Sequence, residues 1–118
     1  MYALSTKAKP KTNVDFETNN FKPEEVHYWR KHPNLHGWMQ NLYNVKGGQG
    51  RDFNGDCVVL NNFDLDNLEH DIRDGNLPDT AGFFFGISSN GDLDDLEFVA
   101  KAKEAINNGR TVYYTSWW

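Results

Sequence analysis

The 118-residue chain has a single cysteine, Cys57, with four prolines and two methionines. One cysteine excludes an internal disulfide, and a reducing compartment is the simplest reading. No apolar run approaches the roughly 18 residues of a membrane-spanning helix, so no membrane partner is expected. The opening residues 1–7 lack the apolar stretch of a secretory signal. Cations are scarce in the body of the chain. Residues 34–118 hold 6 Lys/Arg against 13 Asp/Glu, whereas residues 1–33 hold 6 against 4. An acidic body argues against duplex nucleic acid, whose binding needs clustered cations to displace phosphate counterions. Nucleophile-elbow, metalloprotease and zinc-deaminase motifs are absent. The glycines of 47–55 are not followed by the Gly-Lys-Ser/Thr of a phosphate loop. No catalytic set and no cofactor is assigned.

What is present suits one folded domain. Leu, Ile, Val and Phe make up 27 of the 118 residues, above the roughly 20% below which chains tend to stay disordered. Residues 1–20 read as an arm, with Met1–Ser5 able to add an edge strand and Lys7–Asn20 as tail. The domain proper spans 21–118. Pro23, Glu24 and Glu25 suit a helix start and predict a short helical turn over Glu24–Lys31. Pro33 ends that turn and opens a second helix. Leu35, Trp38, Met39, Leu42 and Tyr43 then follow at the i, i+3, i+4, i+7, i+8 spacing of a core-facing stripe.

Cys57–Leu60 reads as a strand. Asn61 suits the cap of a following helix whose stripe is Leu65, Leu68 and Ile72, and Gly75 suits its end. The run Gly82–Gly86, with three phenylalanines between glycines, reads as a strand. Asp92 opens a third helix, stopped by Asn108-Gly109, and Thr111–Ser116 is strand-like by composition. The expected architecture is α+β, a small sheet of about three strands covered by three to four helices. Leu35, Trp38, Leu42, Leu65, Leu68, Phe84, Val99 and Tyr113 are its expected core.

The densest polar-aromatic cluster is Tyr28-Trp29-Arg30-Lys31, with His36 close behind. A guanidinium fork and an ammonium suit a phosphate or carboxylate, and an aromatic ring beside them can stack on a base. This corner is therefore the expected site of any small anionic ligand. The plainer alternative turns Arg30 into an internal ion pair with Glu24 or Asp56. His32 and His36 stand four apart, but neither Cys57 nor His70 has a motif partner to complete a metal site, so none is expected. A buried His36 bonded to a backbone carbonyl is the competing reading. Asp52–Asp56 matches the first three positions of a calcium loop, and then fails at Cys57 and Phe63. Cys57 with His36 or His70 has the residue types of a nucleophile and base, against which stands its place at the start of an apolar strand. Trp117 and Trp118 at the end of the chain are candidates for a partner surface.

Taken in order, Tyr28–Lys31, His36 with Trp38, Cys57, Leu65 with Leu68, Leu77–Gly86 and Tyr113–Trp117 resemble the pattern of a family of small phage-encoded proteins of unknown function. The resemblance covers roughly residues 26–117. Pro33 and Ser88–Asp92 depart from the pattern. It implies a viral accessory protein working in the host cell cytoplasm and brings no reaction or catalytic residues. The expectation is a non-catalytic protein that binds a host protein to modulate or inhibit it. One alternative is sequestration of a small anion, such as a nucleotide signal of host defence. Another is a small enzyme using His36 and Cys57. The oligomeric state is not legible.

Overall fold

Strands β1 (Tyr2–Thr6) and β4 (Thr111–Thr115) pair antiparallel, so residues from the two ends of the chain lie side by side in the middle of one sheet. The computed structural model describes residues 2–7, 12, 14, 16, 22–29, 33–48, 57–77 and 92–115. Strand β2 (Glu24–Tyr28) flanks β1, and β3 (Cys57–Leu60) flanks β4. Among the described residues the order is β2-β1-β4-β3, four antiparallel strands where about three were expected. Three described helices accompany them: α1 (Pro33–Val45), α2 (Asn62–Asp74) and α3 (Asp92–Asn107). The α+β architecture is thus observed.

Register fixes what each face carries. Ala3, Tyr114 and Val58 align across three strands, as do Ser5, Val112 and Leu60. Because side chains alternate along a strand, these residues share one face. Their apolar members join Leu35, Met39 and Tyr43 of α1, Leu65, Leu68 and Ile72 of α2, and Phe98, Val99 and Ala102 of α3 in a single core. Tyr113 points the other way. Phe16 meets its ring edge-on, with centroids 5.3 Å apart, and Val14 bridges to Val58 on the outer edge of β3. Phe16 therefore lies on the back of the sheet against Tyr113, while β4 is buried from Val112 through Thr115 without alternation.

Helix α2 is locally encoded at both ends. The Asn61 side chain accepts from the Asp64 backbone N–H at 2.8 Å, and Asp64 returns a bond from the Asn61 N–H at 3.0 Å. This reciprocal pair is a capping box. Gly75 closes the helix at φ 69°, a left-handed conformation that costs glycine nothing. Gly109 plays the same part after α3, at φ 83°.

Three expectations need correction. Glu24–Tyr28 is a strand and not a helical turn. Hydrogen bonding to β1 and the anchoring of His27 and Trp29 on α3 override the helix-start signal of Pro23-Glu24-Glu25. A bulge between Ala3 and Leu4 absorbs the register change that brings Glu25 opposite Leu4. The opening strand is interior rather than at the edge, since β1 is paired on both sides. Of the expected core, Leu35, Leu65, Leu68 and Val99 are buried together, while Trp38 and Leu42 are only partly covered and Tyr113 packs on the opposite face. Phe84 and the Gly82–Gly86 strand lie outside the described residues.

Candidate functional site

The cluster foreseen around Tyr28–His36 is divided by the sheet. Tyr28 sits opposite Tyr2, its ring 5.0 Å from that neighbour and 49% exposed. The preceding His27 faces the helices, and so does Trp29, which is fully buried. The Trp29 indole donates to Asp95 Oδ1 at 3.2 Å and meets Phe98 edge-on. His27 Nε2 bonds Asp94 Oδ2 at 2.9 Å. Two adjacent carboxylates of α3 thus hold two alternate positions of the β2 segment. Trp29 was expected to offer a ring face to a ligand, but it is a core residue and has no face to give.

His36 was expected at the same ligand corner, and it too is buried. Its Nδ1 lies 2.8 Å from the Tyr114 hydroxyl, where a backbone carbonyl had been the foreseen partner. Burial lowers its pKa to about 4, so the imidazole is neutral at pH 7. Cys57 aligns with Thr115 and shares the face of Tyr113, opposite that of Tyr114. The sheet therefore separates Cys57 from His36 and brings no nucleophile–base pair together from these two. Burial, with a smaller contribution from Cys57, pushes the Tyr113 hydroxyl up to about 12. Arg30, Lys31, Trp117 and Trp118 lie outside the described residues. The ion pair considered for Arg30 with Glu24 has a counterpart in Arg110, 3.9 Å from Glu24 and bonded to the Ser5 hydroxyl and carbonyl at 2.8 and 3.0 Å. Among the described residues, no group of three or more His, Cys, Asp or Glu is placed to hold a metal ion. No described helix is long and apolar enough to cross a membrane.

A different surface gathers unused groups. Trp38 of α1 donates its indole N–H to Asp71 Oδ2 of α2 at 2.8 Å. Eight residues further along, Lys46 reaches Asp64 Oδ2 and the Val59 carbonyl, both at 2.5 Å. Progress along α1 thus runs backwards along α2, so the two helices are antiparallel, bridged from the middle of α1 and from just past its end. Between them lies an open groove of about 450 Å³. Its α1 wall is Trp38, Asn41, Leu42 and Val45, a stripe at i, i+3, i+4, i+7. Its α2 wall is Asn67, His70 and Asp71, and Asn76 stands just beyond.

Two features set this groove apart. Val45 is 83% exposed and Phe63 is 72% exposed. Each precedes in sequence one partner of the Lys46–Asp64 bridge, which places both at the same end. Phe63 also continues the α2 wall, standing four residues before Asn67 and seven before His70. The second feature is polar. Among the described residues no hydrogen bond engages the side-chain amides of Asn41, Asn67 or Asn76, and no cation pairs with Asp71. Sequence reasoning assigns Trp38 and Leu42 to the core because their spacing is that of a buried stripe. The signal that could have flagged the groove is Val45, which prolongs the Trp38 and Leu42 side of α1 to the end of the helix, and Phe63, which falls outside the Leu65, Leu68 and Ile72 stripe.

No family model, no curated protein and no solved structure matches the chain.

Proposed function

We propose that the chain is a non-catalytic binding protein that captures another protein across the α1–α2 groove. In the setting implied by its sequence resemblance, it is a phage accessory protein that holds a host protein in order to modulate or inhibit it. One observation carries this reading. Val45 lines the groove 83% exposed, and Phe63, 72% exposed, stands on α2 one turn before Asn67 of the facing wall; they are two of the three large hydrophobic side chains most exposed among the described residues. Leaving large apolar side chains open to solvent beside an apolar wall forgoes burial energy, and such surfaces mark partner sites. Anchors of this kind carry most of the energy in protein interfaces. The test is affinity purification of the tagged chain from host cells, beside a Val45→Asp/Phe63→Asp variant whose fold is checked by circular dichroism. The reading expects one partner in stoichiometric yield with the native chain, lost with the folded variant. Equal recovery of that partner by the variant overturns it.

A further inference from the structure

The groove is a mixture of chemistries, and the mixture narrows the occupant. Its apolar wall asks for an aliphatic or aromatic side chain. The Asp71 carboxylate, half-buried at the other end, is bonded to a neutral indole and to no cation, so its charge is uncompensated within the described residues. A carboxylate in that position is best satisfied by a lysine or arginine from outside. The amides of Asn41, Asn67 and Asn76 each offer donors and an acceptor together. That pairing matches one peptide unit, which also presents one N–H and one C=O. A helix has already spent its backbone groups internally, whereas an extended segment has not.

The dimensions agree. Trp38 to Leu42 spans about 6 Å along α1 at roughly 1.5 Å per residue. Two residues of extended chain cover about 6.6 Å at roughly 3.3 Å each. Alternate side chains of an extended peptide point the same way, so with residue i at Asp71, beside Trp38, residue i+2 reaches Leu42.

Resting on the protein-binding reading above, we propose that the groove takes an extended segment of its partner with the pattern Lys/Arg-x-Leu/Val/Phe. The cation meets Asp71, the apolar side chain meets Leu42 and Val45, and the intervening peptide units bond to the amides of Asn41 and Asn67. This is recognition of an unfolded tail or loop and not of a folded partner helix.

Fluorescence polarisation with three fluorescein-labelled nine-residue peptides tests it. One carries Lys-Ala-Leu at its centre in a Gly/Ser background, one carries Glu-Ala-Leu, and one repeats the first with its central peptide nitrogens methylated. The proposal expects saturable binding of the first only. It expects Asn67→Ala to weaken that binding about five- to tenfold, as for removal of one hydrogen-bonding group. Asp71→Asn keeps an acceptor for the Trp38 indole and abolishes the preference for lysine over glutamate. Equal binding of the lysine and glutamate peptides, no binding of either, or no effect of methylation overturns the proposal. If the peptides fail while the Val45→Asp/Phe63→Asp variant still loses the captured protein, the docking surface stands and the extended-segment inference falls. If the lysine peptide binds as described while the variant keeps the captured protein, the inference about groove chemistry stands and the protein-capture reading falls.

Discussion

Trp38 and Asp71 are joined across the α1–α2 gap by a 2.8 Å hydrogen bond from the indole N–H to a carboxylate oxygen. One side-chain bond thus sets the width of one end of the groove, as the Lys46–Asp64 bridge does at the other. Trp38→Phe keeps most of the ring and deletes the donor. It should lower stability by about 1–2 kcal/mol, the range for a partly exposed bond to a charged group. Urea unfolding measures it, and a loss above about 4 kcal/mol, of the size seen for core deletions, would place Trp38 in the core instead.

Trp29 and Tyr28 are sequence neighbours with opposite fates. Trp29→Ala removes a fully buried ring and should cost about 3–5 kcal/mol. Tyr28→Ala loses only a cross-strand contact with Tyr2 and should cost under about 1 kcal/mol. Equal costs in chemical denaturation would mean that the strand phase is wrong.

His36 makes the fold sensitive to acid in a defined window. Its pKa is lowered from 6.5 to about 4 by burial, so the unfolded chain takes up a proton that the folded chain refuses. This contribution to stability is fully present above pH 6.5 and is lost as the pH falls towards 4. The loss is on the order of 3 kcal/mol, at about 1.4 kcal/mol for each tenfold difference in proton affinity between the folded and unfolded chain. His36→Gln cannot titrate. The difference in unfolding free energy between pH 7 and pH 4.5 should therefore shrink in that variant, and an unchanged difference would assign the acid sensitivity to other groups.

Asn61→Ala removes half of the α2 capping box and should cost about 1 kcal/mol, whereas Asn61→Asp, which still accepts the Asp64 N–H, should cost much less. Thermal unfolding of the two variants side by side distinguishes a capping role from a general preference for a polar residue at that position.

Helix α2 is legible in the sequence because its instructions are local. Asn61, Asp64 and Gly75 act within a turn of where they stand. Strand β2 is not, because Glu-Glu-Val-His-Tyr has no clean alternation and is held by β1 and by Asp94 and Asp95, 66 or 67 residues away. The four-stranded sheet escapes for a related reason, since nothing local in Tyr2–Thr6 announces a partner at the far end of the chain. The groove is hidden differently. Spacing identifies the face of α1 that is apolar, and the fold decides how much of that face is covered. Leu35 and Met39 fall under the sheet, while Leu42 and Trp38 line the gap beside α2.

The most direct test of the central claim is hydroxyl-radical footprinting of the chain alone and with its captured partner, read residue by residue by mass spectrometry. Trp38, Leu42 and Phe63 should lose reactivity on binding, while Tyr28, exposed on the opposite side of the sheet, keeps its own. Protection of Tyr28 with Trp38, Leu42 and Phe63 unchanged would contradict the account and move the binding surface to the β2 side of the molecule.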